Sequence, residues 1–241
     1  MMQASFEEIR AYLSTSPLLG LLLTLLAYQA ALWVHRRANG HPLTNPVLIS
    51  IILVVSTLLV SGIDYRSYFS GAQFVHFLLG PVTVALAIPL YAQIKPLVRL
   101  AGPLLISLLV GGTAAVLSAW WLASSAGASP GTLLALAPKS ATAPIAMGLT
   151  ERLGGSPSLA MAFVQMTGIF GAMTAPLMFR LLRIDDDQVR GFTLGLTAHG
   201  IGTARAFQYS ETAGAFAALA MGLNGLLTAL IVPPLIRWCL A

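Results

Sequence analysis

The stretch "GTLLALAPKSATAPIAMGL", residues 131–149, decides how this chain folds. It is apolar except at its centre, where Lys139 stands between Pro138 and Pro144. Proline cannot donate the backbone hydrogen bond that an unbroken helix needs. We therefore predict a broken helix here, and a broken backbone at membrane depth is tolerated only inside protein or beside a water-filled cavity.

Composition places most of the chain in lipid. Of the 241 residues, 57% are hydrophobic and 9% are charged, whereas an ordinary soluble domain is about 25% charged. A transmembrane helix needs about 20 apolar residues, so this length predicts about seven or eight membrane segments joined by short loops. We expect an all-α, polytopic integral membrane protein, with a polar segment at residues 1–16 and no separate soluble domain.

The charged residues and the cysteine exclude several kinds of partner. The formal net charge is +5, but the basic residues lie scattered between apolar runs and form no stripe that would bind nucleic acid. The positive-inside bias of membrane proteins accounts for them. Cys239 is the only cysteine in the sequence, and no Cys/His group has metal-ligand spacing. We expect no nucleic acid partner, no metal and no cofactor.

Apolar runs that suit membrane segments recur along the chain. They cover residues 17–34, 45–62, 73–94, 102–123, 156–179, 191–207 and 213–238. The start "MMQASFEEIR" lacks the basic residues of a cleaved signal peptide, so we expect the first run to be retained as a helix. The run at 73–94 contains Gly80-Pro81 near its middle, which predicts a kink or break there.

The distribution of arginines bears on whether residues 131–149 cross the membrane. We place Arg36 and Arg37 in the cytoplasm. A segment that crossed once would then put the loop at 180–190, with its three arginines, outside the cell. A segment that enters and leaves by the same face returns that loop to the cytoplasm. We favour a re-entrant or deeply broken element, while the three aspartates of the same loop leave a spanning segment open.

A short internal repeat supports the re-entrant interpretation. "GPVTVA" (80–85) and "GIGTAR" (200–205) share a glycine and a threonine at the same spacing, 120 residues apart. If residues 131–149 do not cross, a first repeat at about 45–123 and a second at about 156–238 run in opposite directions. This is the inverted-repeat plan of many secondary transporters.

Two cations stand in membrane segments at the predicted breaks, Lys139 and Arg205. An ionised side chain there costs about 2.5 to 3.5 kcal/mol on insertion scales, so each must line an aqueous path, pair with an acid or reach an interface. The last alternative stays open, above all for Arg205, because Glu211 is close in sequence. With the N-termini of broken half-helices, the two cations predict a carboxylate site. Its other predicted ligands are Ser140, Thr142 and Thr203.

Two titratable residues are candidates for proton coupling, His199 and Glu151. A histidine titrates near neutral pH and can carry a proton, although His199 can equally donate one structural hydrogen bond. No G-x-S-x-G motif occurs, and a lysine next to Ser140 lacks the i, i+4 spacing that joins two side chains on a helix, so we expect no enzyme activity. The positions predicted to break helices are Gly80, Pro81, Pro138, Pro144, Gly200 and Gly202.

At "LLGPVTVALAIPLY" (78–91), "LAPKSATAPIAM" (136–147) and "LTAHGIGTARAF" (196–207), the chain resembles the LrgB/CidB family of bacterial membrane proteins. That family includes the membrane domain of the plant chloroplast glycolate/glycerate translocator. The likeness runs from about residue 45 to the C-terminus. It implies a single membrane domain over residues 1–241, in the bacterial cytoplasmic (inner) membrane and crossing it several times.

The resemblance implies two different functions. Some family members are described as antiholin-like regulators of murein hydrolase export and autolysis that act with a small holin-like LrgA/CidA partner. Others carry small monocarboxylates such as glycolate, glycerate or pyruvate. The broken helices and the buried cations favour a secondary transporter of a small monocarboxylate, with proton coupling left open. The alternative is a regulator of a holin-like partner, and a homo-oligomer is open in either case.

Overall fold

The computed structural model describes residues 17–240, so the predicted polar segment at 1–16 lies outside the described residues. Every regular element in the described range is a helix. Five stretches are long and apolar enough to cross a membrane: Leu18–Arg37, Tyr65–Ala92, Ala101–Ser125, Pro157–Leu181 and Glu211–Arg237. Pro46–Ser61 is a shorter apolar helix. The predicted all-α, polytopic membrane fold is confirmed.

The chain forms two compact units, and the first comprises Met1–Ala85. Its helices are α1 (Pro17–Arg37), α2 (Pro46–Ser61), α3 (Tyr65–Phe77) and α4 (Leu79–Ala85), with a 3₁₀ turn at Pro42–Thr44. Helix α1 packs against α2 and α3. The hydroxyls of Thr24 and Tyr68 share a hydrogen bond of 2.8 Å between α1 and α3. A polar contact therefore joins two helices that are otherwise held by apolar packing.

The second unit comprises Leu86–Ala241. Its first helices are α5 (Ala87–Ala92), α6 (Ile94–Arg99) and α7 (Ala101–Ser125). Then follow α8 (Pro130–Leu136), α9 (Ala143–Arg152), α10 (Pro157–Leu181), α11 (Asp187–Phe207) and α12 (Glu211–Leu240). Helix α12 packs against α5, α7, α9 and α11, which makes it the central helix of this unit.

Prolines divide the chain between α3 and α7 into short helices. Each of α4 to α7 has a proline as its third residue: Pro81, Pro89, Pro96 and Pro103. A proline cannot bond to the carbonyl four residues before it. The four carbonyls concerned belong to the last residues of the preceding helices: Phe77, Ala85, Ala92 and Arg99. The helix ends are thus set by the missing donors.

The predicted break at Gly80 and Pro81 is therefore displaced. The interruption falls at Leu78, and Gly80 and Pro81 lie inside α4. Pro81 acts at a distance of four residues, because the bond that it removes is the one to Phe77. The backbone N–H of Val82 resumes the helical pattern by donating to the carbonyl of Leu78 at 3.0 Å.

Helices α8 and α9 fold back on each other and form a helical hairpin, called hairpin 1, with residues 137–142 at its tip. The hydroxyl of Thr150 donates to the carbonyl of Leu134 at 3.5 Å. A Cβ added to Gly155 would lie 3.1 Å from Cβ of Leu134. Leu134 in α8 therefore lies beside the last turn of α9, as expected of a re-entrant element, and the segment does not extend as one span.

Helix α11 also folds back on itself and forms hairpin 2. Its backbone is non-helical at Ala198 (φ −121°, ψ 16°) and at His199 (φ 41°, ψ −129°). The Cζ atom of Arg190 lies 5.6 Å from the ring centre of Tyr209, although a straight helix would hold these two residues about 28 Å apart. Residues at the two ends of α11 thus meet because the chain reverses at Ala198–His199.

The predicted break at Gly200 and Gly202 is also displaced, to the turn at Ala198–His199. Gly202 has a different role, because a Cβ there would collide with the carbonyl of Leu194 on the opposite arm of hairpin 2. Glycine permits a turn but does not require one, and here its small size is what the packing uses. Of the other predicted break positions, Pro138 lies at the tip of hairpin 1 and Pro144 in the first turn of α9.

The interruption at Leu78 and the turn at Ala198 are 120 residues apart. This is the same offset that separates the two Gly/Thr motifs. The coincidence supports an internal repeat, and the repeats at about 45–123 and 156–238 stay a prediction. The single membrane domain over residues 1–241 also stays a prediction.

Hairpin 2 packs closely against α12 through glycines. A Cβ added to Gly195 would lie 2.7 Å from Cα of Ala217, and one added to Gly191 would lie 2.7 Å from Cα of Ala213. These pairs are four residues apart on each helix, so the contact repeats once per turn. Seams of small residues let helix backbones approach closely in membranes. Hairpin 2 and α12 are therefore in contact backbone to backbone.

The hairpin geometry predicts where cysteines introduced into hairpin 1 react. In a Cys239→Ser background, we expect Thr132→Cys and Met147→Cys to be labelled by a membrane-impermeant maleimide from the same face, because α8 and α9 return to the same end. Asp186→Cys, in the loop predicted to be cytoplasmic, provides the control for the opposite face. Labelling of Thr132→Cys and Met147→Cys from opposite faces would refute the re-entrant geometry.

The close contact between hairpin 2 and α12 predicts the effect of adding a methyl group at Gly195. Gly195→Ala is expected to lower the free energy of unfolding by about 1 to 3 kcal/mol, because its Cβ has no room beside Ala217. Gly222→Ala in α12 is the control, since a Cβ there meets no atom within 4 Å. That change should be neutral or stabilise by up to about 1 kcal/mol. Denaturant unfolding in mixed micelles measures the free energy of unfolding of both variants. Equal changes in Gly195→Ala and Gly222→Ala would contradict the close contact between hairpin 2 and α12.

Candidate functional site

One side chain of α12, Asn224, joins the tips of the two hairpins. It is 1% exposed, and its Nδ2 donates to the carbonyl of Ser140 and to the carbonyl of Leu196, both at 3.0 Å. Ser140 lies at the tip of hairpin 1, and Leu196 lies two residues before the turn of hairpin 2. Two breaks that are far apart in sequence therefore meet at one amide group.

The sequence explains why these carbonyls need a donor from elsewhere. Pro144 stands four residues after Ser140 and Pro138 stands four residues after Leu134, so neither carbonyl can receive a helical N–H at that position. The turn at Ala198–His199 interrupts the helix just after Leu196. Buried carbonyls without partners are costly. Asn224 bonds two of the three, and Thr150 bonds the carbonyl of Leu134.

A cavity of about 470 Å³ lies beside the joined tips. Its polar lining residues are Lys139 and Ser140 from hairpin 1, Thr197 from hairpin 2 and Thr167 from α10. Its remaining lining residues are Ala115, Phe163, Met166, Phe170 and Gly171. The cavity thus combines one cation and three hydroxyls with an apolar and aromatic wall.

Lys139 brings a cationic side chain to this cavity, and no acid among the described residues pairs with it. It is half-buried, and its Nζ donates to Oγ of Ser140 at 3.3 Å. Within residues 17–240, the ion pairs are those of Arg190 with Asp185 and Asp187, so no carboxylate pairs with Lys139. A cation held at a cavity wall with hydroxyls beside it can bind an anion through a charge-assisted hydrogen bond.

His199 and Thr203 hold the turn of hairpin 2. His199 is 4% exposed, and its Nε2 lies 2.9 Å from the carbonyl of Val164, which can only accept, so Nε2 carries the hydrogen. The hydroxyl of Thr203 donates to the carbonyl of His199 at 2.9 Å. The positive φ of His199 is uncommon outside glycine, and these two bonds stabilise it. Neither His199 nor Thr203 is among the described residues that line the cavity.

The structure places Arg205 away from Lys139. It lies in the last turn of α11, where its guanidinium donates to Gln208 and its Cζ lies 5.4 Å from the ring centre of Tyr209. Thr142 is the half-buried N-cap residue of α9 and makes no side-chain cap bond. Glu151 is exposed near the end of α9. Of the predicted ligands, only Lys139 and Ser140 thus share the cavity.

Sequence reasoning missed Asn224, Thr167 and Thr197. Asn224 had a usable signal, because it is the one amide side chain in α12 and a strongly polar residue in an apolar span marks a functional site. The two threonines had none, since small hydroxyl residues also serve ordinary helix packing in membranes. Among the described residues, no group of three His, Cys, Asp or Glu side chains is placed to hold a metal ion.

Fold and site together define a class: an all-α, multi-pass membrane protein with a cation-lined cavity where two helical hairpins meet. Within that class the chain belongs to the LrgB-like family, whose model matches residues 24–238. The resemblance read from the three motifs is therefore confirmed.

Relatives agree with this assignment over nearly the whole chain. The chain is 34% identical to YwbG and 35% identical to YxaC, both of Bacillus subtilis (strain 168), over 92% and 90% of its length and 98% and 94% of theirs. It is 28% identical to the holin-like protein CidB of Staphylococcus aureus (strain N315), over 91% of its length and 95% of that protein. No solved structure matches the chain.

The packing around His199 predicts the effect of a single methyl group. A Cβ added to Gly168 would lie 2.6 Å from Cε1 and 2.8 Å from Nε2 of His199. We expect Gly168→Ala to displace the ring from the carbonyl of Val164 and to lower the free energy of unfolding by about 1 to 3 kcal/mol. Gly148→Ala in α9 has no atom within 4 Å of the new Cβ and is the control. If Gly168→Ala and Gly148→Ala have the same free energy of unfolding, the packing of His199 against Gly168 does not stabilise the turn.

Proposed function

We propose that this protein is a secondary transporter of a small monocarboxylate of the glycolate, glycerate or pyruvate class. The observation that carries the proposal is Lys139, a half-buried cation without a carboxylate partner among the described residues, at the wall of a cavity between two hairpins. Holding a cation there without compensation is unfavourable. An anionic substrate that enters the cavity compensates that charge.

The lining of the cavity supports a substrate with one carboxylate and one further oxygen. A single cation pairs with a single carboxylate, and Ser140 and Thr167 offer hydroxyls to an α-hydroxyl or keto oxygen. The hydroxyl of Thr197 donates to the carbonyl of Thr193 and can accept from an α-hydroxyl. Phe163, Met166 and Phe170 form much of the remaining wall of the cavity. A second carboxylate would lie against this apolar wall without a partner, which is costly. The site therefore suits monocarboxylates better than dicarboxylates.

In the proposed mechanism, Nζ of Lys139 holds the substrate carboxylate while the two hairpins move to open the cavity to one side and then to the other. Thr142 is the last residue of the tip of hairpin 1, and Thr203 lies four residues after the turn of hairpin 2. In this scheme they come into reach of the substrate when the hairpins move. His199 is a proton carrier in this scheme through Nδ1, because Nε2 is engaged with Val164. Glu151 and Arg205 lie near the ends of α9 and α11, where they meet the substrate as it enters or leaves.

The location that goes with this function is the bacterial cytoplasmic membrane, where a transporter separates two aqueous compartments. The alternative function is regulation of a small holin-like LrgA/CidA partner. The name of the Staphylococcus aureus relative, a holin-like protein, favours it. On this alternative the residues of the cavity are dispensable, and helix faces that point to the lipid bilayer carry the activity.

The experiment that separates the two functions is uptake by the purified full chain in liposomes. Labelled glycolate, glycerate and pyruvate are supplied singly, with and without the small holin-like partner. A transporter gives flux that saturates with substrate. If none of the three gives saturable flux in either preparation, the transport function is wrong.

A substitution at Lys139 predicts the contribution of the cation. We expect Lys139→Gln to lower the initial uptake rate at limiting substrate by about 10- to 100-fold, because a hydrogen bond to a charged group is lost. Lys139→Arg should retain part of the rate. Lys95→Gln is the matched control, since Lys95 is the only other lysine in the sequence and is exposed in α6. Unchanged uptake by Lys139→Gln would show that Lys139 does not bind the substrate.

A further inference from the structure

The proposed mechanism leaves Asn224 unused, although it contacts both hairpin tips. We propose that Asn224 is a positioning residue, a latch that fixes the tip of hairpin 1 relative to hairpin 2 and so sets the spacing of Lys139 and Thr197. The inference rests on the proposed transport function and deepens it, because that spacing decides which carboxylates the cavity accepts.

Asn224 is suited to this role by the chemistry of its amide. The NH₂ group has two hydrogens that point in different directions, and one goes to each tip. A hydroxyl or a water on each carbonyl would satisfy both oxygens but would not tie them together. With both bonds made, the carbonyl oxygens of Ser140 and Leu196 are no further apart than twice 3.0 Å. The tips cannot separate unless one of these bonds breaks.

The other half of the amide indicates that the position uses the donor end of the side chain. Oδ1 of Asn224 is buried and has no hydrogen-bond partner. It lies 2.9 Å from the Cβ position of Gly112 in α7, so a larger residue there would displace it. A buried acceptor without a partner destabilises the fold. An apolar residue would avoid that cost but would leave the carbonyls of Ser140 and Leu196 without their donor, so the two donated bonds are what the position uses.

The packing indicates which of the two bonds opens during transport. Hairpin 2 contacts α12 backbone to backbone at Gly191 and Gly195. Hairpin 1 meets α12 through side chains instead, such as Ile145 beside Gly225 and the cluster of Leu134 with Val232. Side-chain contacts allow packed elements to slide more readily than a close backbone seam does. The bond from Asn224 to Ser140 is therefore the one that opens.

The latch bears on specificity because the ligands stand on different hairpins. Lys139 on hairpin 1 binds the carboxylate. Of the three hydroxyls in the lining, that of Thr197 stands on hairpin 2, where it donates to the carbonyl of Thr193 at 2.7 Å and so can accept from a substrate hydroxyl. Glycolate and acetate share the carboxylate and differ by the hydroxyl. A site built to hydrogen-bond a substrate hydroxyl discriminates against the analogue that lacks it. That discrimination requires the two hairpins to be in register, which Asn224 maintains.

The first test measures the ratio of glycolate to acetate uptake at limiting substrate in liposomes. We expect Asn224→Leu to lower this ratio by about tenfold, and Asn224→Gln, which keeps the NH₂ group, to retain part of it. Thr228→Val is the matched control, because Thr228 is 3% exposed and lies one helical turn further along α12. It should keep the wild-type ratio. A folded Asn224→Leu protein with the wild-type ratio would overturn the latch.

The second test needs no transport and keeps the inference separate from the proposed function. In a Cys239→Ser background, Ser140→Cys and Thr197→Cys are joined by a short bifunctional thiol reagent. Adding Asn224→Ser, which presents one donor and keeps the position polar, should slow cross-linking by about tenfold because the tips separate. Equal rates would overturn the latch. If the wild type carries none of glycolate, glycerate and pyruvate, and Asn224→Ser still slows cross-linking, the transport function is wrong and the latch stands.

Discussion

A backbone carbonyl buried in a membrane protein must find a hydrogen-bond donor, because lipid supplies none. In this chain prolines and one sharp turn produce carbonyls that their own helices cannot bond. Pro138 frees the carbonyl of Leu134, and Pro144 frees that of Ser140. Three long-range hydrogen bonds of the second unit meet these needs, because Thr150 and Asn224 supply the donors. Where the free carbonyls meet, the hairpins meet, and the cavity lies beside them.

The same residue type has a milder effect between α3 and α7. There each proline removes one bond, and the next N–H donates to the residue between the two helices, as Leu104 does to Leu100 at 2.9 Å. The axis is interrupted for one residue and the helix resumes. In hairpin 1 Pro138 lies in the tip and Pro144 follows in the first turn of α9, and the chain reverses between α8 and α9.

These breaks also account for the chemistry at the cavity. Helices that end at mid-depth leave polar backbone that must be surrounded by protein or water, and in such a place a lysine can stay charged. The cation, the hydroxyls and the two tips thus have one common cause. A carboxylate carrier uses all of them. A partner-binding regulator has no need of a cation-lined cavity, although the two activities are compatible in one protein if carboxylate flux governs the partner.

Much of this was readable in the sequence because it is local. Lipid as the solvent, the helical fold and the broken segment around Lys139 follow from composition and from prolines that act within four residues, and the family follows from the resemblance of three short motifs. The displaced breaks show the limit of such reading. Gly200 and Gly202 marked a flexible region, but the turn formed at Ala198–His199, where Val164 and Gly168 of another helix accommodate the histidine.

By itself, the sequence determined that the chain is a helical membrane protein whose helices break near a buried cation. Only the tertiary structure decided which breaks share a donor and which side chains line the cavity. Arg205, expected beside Lys139, lies against Tyr209, and Asn224 joins carbonyls that are 84 and 28 residues away from it in the chain. The physical reason is that a free carbonyl specifies only the need for a donor. Which donor meets that need depends on how distant helices pack.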